Sequence, residues 1–259
     1  MAKDTSATLT DSQVGKNGAR RPFARKTKSS PGGGPPEEGG GRPIVFDPEK
    51  IMPSPATVTV FIAQMGDSTL IVNQFPEKAQ REMVEKQTTE PGGKKLQEAR
   101  NPFGEFRGAF HVINPKKVPK AEIPVWGTWP CPKDTFGFPC SSIKMGMLYV
   151  APVCGVSKAD IIRSVFVDGD LMPLEADKIV FRQDMVRIGT FPNMKSTPRW
   201  RPEFVNWRAR FTVSFNEKII NPKQVAALIL NAGFSSGLGE WRPSAPLKGG
   251  SHGRYIITK

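Results

Sequence analysis

The side chains of this sequence that can do chemistry crowd toward its C-terminal end. Residues 199–210 hold four arginines and two tryptophans, and residues 237–254 hold five glycines. Arg199, Arg201, Arg208 and Arg210 are permanent cations with planar donor forks that match phosphate. Trp200 and Trp241 offer flat faces for base stacking, the aromatic–arginine pairing that single-strand binders use; packing in a core or an interface is the alternative. Gly237, Gly239, Gly249, Gly250 and Gly253 would let backbone N–H groups approach a phosphate, with Arg242, Lys248 and Arg254 beside them. A turn before an edge strand is the bland alternative. His252 has the chemistry of a general acid or base in metal-free RNA cleavage, or is a solvated loop histidine.

Other chemistries lack their residues. A Walker loop, Gly-x4-Gly-Lys-Ser/Thr, is absent. The glycine-rich stretch leads into a strand rather than a helix, unlike a dinucleotide-binding turn. Three cysteines without a Cys-x-x-Cys pair and two histidines argue against zinc, a disulfide scaffold or a histidine triad. Asp168 and Asp170 read as a β-turn rather than a metal pair, and His111, between Phe110 and Val112, as a structural histidine. No metal or cofactor is expected.

Charge points the same way. The chain of 259 residues carries a net +13, unevenly spread. Residues 44–181 hold 16 basic and 16 acidic groups, whereas residues 182–259 hold 13 and 4. A basic end suggests a polyanion, nucleic acid ahead of a membrane surface. No apolar run is long enough to cross a bilayer, no secretory leader is evident, and cysteine usage suggests a reducing, cytoplasmic setting.

Pattern assigns the elements that must position these groups. Residues 1–43 are a basic, Gly/Pro-rich arm with too little apolar surface to fold. Order is expected from Ile44, with strands at 57–63, 69–72 and 106–113 and a helix at 76–87. Residues 114–139, with six prolines, read as an irregular excursion that belongs to an insertion at about 74–138; its Lys116, Lys117 and Lys120 would clamp a bound strand or stay as loop charges. Helices follow at 139–151 and 157–163, then strand pieces within 164–190. Residues 207–215 alternate strictly: Trp207, Ala209, Phe211, Val213 and Phe215 on one face, Arg208, Arg210, Thr212 and Ser214 on the other. Residues 199–205 precede them after a tight connection, which predicts a hairpin that would set Arg199 and Arg201 near Arg208 and Arg210. Asn221 caps a helix with Pro222 at its first position, ending at Gly233, and residues 254–258 close the chain as a strand. Without the excursion the order is β-α-β-β-α-β, an α+β ferredoxin-like or RRM-like core, in one domain over 44–259. Such a core leaves one sheet face free.

Two segments carry a family resemblance. Residues 138–147, Phe-Pro-Cys-Ser-Ser-Ile-Lys-Met-Gly-Met, resemble the Pro-x-Ser-Ser-x-Lys segment opening the first helix of CRISPR-associated RAMP (repeat-associated mysterious protein) proteins. Residues 237–254 resemble their C-terminal glycine-rich loop, interrupted here by Glu240, Trp241 and Pro243. The resemblance covers less than half of the chain, in patches, and implies an RRM-like RNA binder with Lys144 near the RNA path. The C-terminal stretch also resembles a group of bacteriophage proteins to which we can attach no activity.

The resulting expectation is a non-catalytic, phage-encoded protein that binds single-stranded RNA or DNA, RNA favoured, and that would assemble as a homo-oligomer along the strand. Arg199, Arg201, Arg208 and Arg210 would track phosphates. The alternatives are an endoribonuclease using His252, a structural filament or virion subunit, and an inhibitor of CRISPR defence.

Overall fold

The computed structural model describes residues 55–75, 84, 99–188, 194–246 and 249–259. The arm at 1–43, the start of the domain at Ile44, the helix expected over 76–87 (Val84 apart) and Lys248 lie outside the described residues. Two antiparallel sheets and four α-helices make a mixed α+β fold among those described.

Sheet A is built on β1 (Ala56–Gln64) and β10 (Arg208–Phe215), paired in register from Ala56↔Phe215 to Ala63↔Arg208. The alternation in β10 is obeyed residue by residue. Ala209, Phe211, Val213 and Phe215 are buried, while Arg208 and Arg210 are exposed. In β1, Val60 and Ile62 turn into the same core. β11 (Tyr255–Thr258) pairs with β1 on one side, and β6 (Val165–Val167) and β7 (Leu171–Glu175) pair with β10 on the other.

Two helices cover the apolar side. α2 (Ser141–Val150) buries Ile143, Met147 and Val150, the face its periodicity predicts. α4 (Pro222–Ser235) starts at a capping box: the Asn221 side chain accepts from Gln224 N–H, and Gln224 Oε1 accepts from Asn221 N–H. It does not stop at Gly233. A Cβ there would lie 2.3 Å from the Tyr255 carbonyl oxygen, so Gly233 is a point of close approach to β11. The helix ends at Ser235 and is closed off beyond its cap by Gly237, whose φ is +66° and whose N–H donates to Ala232 O. The remaining helix of this half, α3 (Lys158–Ser164), leads straight into β6.

Three expectations need correction. Residues 102–108 form a helix, α1, not a strand: the Asn101 side chain accepts from Gly104 N–H, and Pro102 occupies the first turn. Only His111–Val112 (β3) is extended. The excursion also supplies sheet structure. It contributes β4 (Thr128–Pro130) to the second sheet and β5 (Phe136–Pro139), beside β3, to sheet A.

The third correction matters most. Residues 195–205 (β9) do not pair with β10. They pair with β8 (Lys178–Ile188) over eleven positions, Lys178↔Val205 to Ile188↔Lys195, and with β2 (Leu70–Ile71) on the other edge. These strands and β4 make sheet B, in the order β2-β9-β8-β4. The chain changes sheets at Asn206, held at φ +54° with its N–H on Gln64 Oε1 and its amide on Asp177. Asparagine tolerates that left-handed conformation better than most residues, and here it re-aims the chain instead of closing a hairpin. The sheets are joined by rings. Phe106 stacks on Phe181 with centroids 4.4 Å apart, Phe110 stacks on Phe136 at 4.4 Å, and Phe136 meets Phe204 edge-on at 5.9 Å.

Candidate nucleic-acid interface

The change of sheet at Asn206 separates the four expected arginines into two unlike pairs. Arg208 and Arg210 lie on the open side of sheet A. Arg208 is 68% exposed and only 3.8 Å from Asp177, a loose surface pair. Arg210 has no ion pair among the described residues. Register sets Arg210 opposite Phe61, Thr212 opposite Thr59, and Ser214 opposite both Thr57 and Phe166. Phe61 is 45% exposed and Phe166 53%. Lys144 reaches the same neighbourhood: its Nζ donates to Ile162 O and lies 4.7 Å from the centroid of the Phe166 ring. The open side therefore carries two phenyl rings, two guanidiniums, a row of hydroxyls and an ammonium at its margin. Asp168 and Glu175 share it, so its charge is mixed.

Phe61 and Phe166 were missed in the sequence. Phe61 did carry a signal, since it is the apolar residue on the hydroxyl side of the Thr57–Thr59 alternation. Phe166, between two valines, carried none.

Arg199 and Arg201 sit in sheet B, where other groups cover Arg201. Arg201 is 1% exposed. Its Nη2 donates to Asp184 Oδ2 at 2.7 Å and its Nη1 forms an ion pair with Glu240. Arg182, directly opposite in register, donates through Nε to both Asp184 oxygens at 2.9 Å and through Nη1 to Glu203 at 3.1 Å. Glu240 also accepts from Asn73 and lies 4.0 Å from Arg199. Three guanidiniums thus meet three carboxylates. Arg199 and Arg201 do not share the open face with Arg208 and Arg210, because they lie in the other sheet; Arg201 is covered by neutralising carboxylates and the glycine-rich segment, while the Arg199 side chain stays 40% exposed beside Glu240. Burial drives the Arg201 pKa below the usual arginine value, against the pull of Asp184.

The glycine-rich segment is a fitted part of this layer. Glu240 N–H donates to Ile71 O, Gly253 N–H to Thr69 O, Gly250 N–H to Arg242 O and Leu238 N–H to Gly253 O. The N–H groups of Gly237, Gly250 and Gly253 are thus spent on protein carbonyls rather than offered to a phosphate. The glycines serve proximity: a Cβ on Gly239 would meet Ile71 O at 2.3 Å, and one on Gly249 would meet Pro243 O at 2.8 Å. Arg242 is tied within the segment, to Gly239 O and Ser244 Oγ. Arg254 stands over the Phe234 ring at 6.0 Å.

The tryptophans divide likewise. Trp207 is fully buried, its Nε1 donating to Ser68 O. Trp200 is half-buried, donates to Gln183 and is faced by Arg100. Trp241, at φ +56° and 41% exposed, lies over Arg182 and Arg201 at 5.5 and 5.9 Å. Both of these rings pack against arginines of the protein.

His252 belongs to the same layer. Its Nδ1 is 3.0 Å from Thr69 Oγ1, and that hydroxyl donates to Glu203 Oε1 at 2.5 Å. The hydroxyl has one proton, so Nδ1 must be the N–H donor. The ring works as a clip between the glycine-rich segment and sheet B. Burial, then the Arg182 charge, lowers its pKa below the ordinary 6.5. Burial does the same to His111, which sits edge-on to Phe138. Both histidines bind a proton more weakly folded than unfolded, so their contribution is intact above about pH 6.5 and is lost as the pH falls through that value toward the folded pKa. Thermal melts from pH 7.5 to 5.5 should show the melting temperature falling below about pH 6.5, with a shallower fall in His252→Asn; a flat profile would contradict it.

Among the described residues no three His, Cys, Asp or Glu side chains cluster as metal ligands. Asp168 and Asp170 flank Gly169, at φ +82°, as a turn. Burial raises the Cys131 thiol to about 11, far from thiolate chemistry. Among the described residues no helix is long and apolar enough to cross a membrane.

No family model matches the chain, and no curated protein matches it. It is similar to a chain in the cryo-EM structure of the type III-B Cmr-beta bound to cognate target RNA, with a TM-score of 0.39 and 13% identity. The match covers 78% of this chain, which spans 58% of that one.

Proposed function

We propose that this protein binds a single strand of nucleic acid, RNA favoured, across the open side of sheet A. One observation carries the reading: Phe61, Phe166, Arg208 and Arg210 are exposed together on a side of the sheet that no described element covers. Exposed phenyl rings on a sheet are stacking surfaces for any base, and adjacent guanidiniums hold the backbone between them. The topology supports a ferredoxin-like core, since strands run β11-β1-β10-β6 with α2 and α4 behind them. That core belongs to a single domain from residue 44, with the insertion at about 74–138, and the arm at 1–43 adds cations. RNA rather than DNA rests on the RAMP resemblance of residues 138–147 and 237–254. Binding is preferred to cleavage because His252 Nδ1 is engaged with Thr69.

The test is a salt titration of single-strand affinity. Arg208→Ala with Arg210→Ala should weaken binding and flatten the log–log slope by about 1.4, the release expected for two phosphate contacts on a single strand. Phe61→Ala and Phe166→Ala should each cost about 1–3 kcal/mol with the slope unchanged. Identical titrations for wild type and the double arginine variant would refute the reading.

A further inference from the structure

The open side of sheet A is not uniform. β6 ends at Val167 and β7 begins at Leu171, and the turn at 168–170 interrupts the pairing along β10. A depression of about 330 Å³ opens there, lined among others by Thr59, Phe61, Asp168, Arg210 and Thr212. Asp168 is exposed, and its N–H is fixed to Thr212 O at 2.9 Å. Its carboxylate accepts from the Ser214 hydroxyl at 3.0 Å and has no ion pair among the described residues. The depression thus combines one ring face, one unpaired guanidinium and one carboxylate oriented by a hydroxyl.

A bare carboxylate is an odd thing to place where a polyanion should lie. Long-range charge argues against it, so it must repay that repulsion with a specific contact. A carboxylate only accepts, and it can accept two parallel N–H bonds. A guanidinium only donates, and its fork fits a pair of acceptors. Guanine is the nucleobase that presents both complements: an N1–H and N2–H donor pair on its Watson–Crick edge, and the O6 and N7 acceptor pair on its other edge. Adenine and cytosine place an acceptor beside their amino donor, and uracil flanks its single N–H with two carbonyls, so each turns a lone pair toward the carboxylate. Unstacked bases in single strands expose those edges for readout.

We propose that the depression beside the 168–170 turn is a guanine-selective base site: Phe61 stacks the ring, Asp168 accepts from N1–H and N2–H, and Arg210 donates to O6 and N7. Thr59 and Thr212 border the pocket with hydroxyls. This rests on the single-strand binding proposed above and gives it a preference.

The experiment compares fluorescence anisotropy for all-uridine strands of about 8 nucleotides with the same strands carrying one central guanosine or one inosine, which lacks the N2 amino group. Wild type should bind the guanosine strand about tenfold tighter than the all-uridine strand, with inosine between them. Asp168→Asn should bring guanosine within about twofold of uridine while all-uridine binding holds or strengthens, because a negative charge has gone. Ser214→Ala, which releases the carboxylate from its hydroxyl, should reduce the preference without abolishing it. Equal wild-type affinity for the three strands, or a preference that survives in Asp168→Asn, overturns guanine selectivity and leaves single-strand binding standing. No binding to any strand overturns both.

Discussion

Arg201→Ala is expected to destabilise the protein by about 3–5 kcal/mol, because removing one partner from a buried ion network leaves its carboxylates short of compensating charge, Asp184 with Arg182 alone and Glu240 with only Arg199 at 4.0 Å. Asp184 would lose its 2.7 Å partner while only 8% exposed, and Glu240 would lose its closest cation. For a chain of this size that loss lowers the melting temperature by about 10 °C. Arg208→Ala is the matched control: its only ion pair among the described residues is a 3.8 Å contact at the surface, worth about 0–1 kcal/mol. The two arginines are seven positions apart in the sequence, yet one should read out in a melt and the other in a salt titration. If Arg201→Ala melted with wild type while nucleic-acid affinity fell, Arg201 would belong to the ligand and not to the fold. A paired variant sharpens the argument. Arg201→Met with Asp184→Leu and Glu240→Gln removes the Arg201-centred charges together, leaves Arg182 paired with Glu203, and should recover part of the loss, since replacing buried ion pairs together is often neutral.

Gly253→Ala should be nearly as damaging, for reasons of shape alone. Gly253 has φ +69°, and a Cβ there would fall 1.8 Å from the Leu238 carbonyl oxygen. That carbonyl cannot swing aside easily, because Leu238 N–H is bonded to Gly253 O and Gly253 N–H to Thr69 O. Left-handed backbone costs an L-residue about 1–2 kcal/mol, and forcing atoms into packed space adds about 1–3 kcal/mol. Gly155→Ala isolates the first of these. Gly155 has φ +64° with nothing within 4 Å of a Cβ, so it should lose the backbone part only. Urea denaturation of the two variants reads the difference directly. Equal midpoints would mean that the glycine-rich segment yields to the added methyl group and is not the fitted layer described above.

The amphipathic strand at 208–215, the face of α2 and the Asn221 cap of α4 were all legible before any coordinates, and so was the exposure of Arg208 and Arg210. Each rests on residues within a turn or two of one another, where periodicity and capping chemistry act. The strand predicted at 106–113 failed because its phenylalanines are equally at home on a helix face, and the Asn101-Pro102 start decides between them. The rest was settled by partners far away in the chain. Pairing β9 with β8 instead of β10 sends Arg201 to Asp184, and the return of residue 240 to β2 delivers Glu240 to the same guanidinium. The same long-range pairings bring Phe61, Phe166 and Arg210 to one side of sheet A across 149 positions of sequence, from 61 to 210. Local pattern determined which face of each element is polar; which polar groups neutralise one another and which stay free was decided only when the sheets assembled, because a charge is cancelled by whatever lies within a few ångströms of it, whatever its distance along the chain.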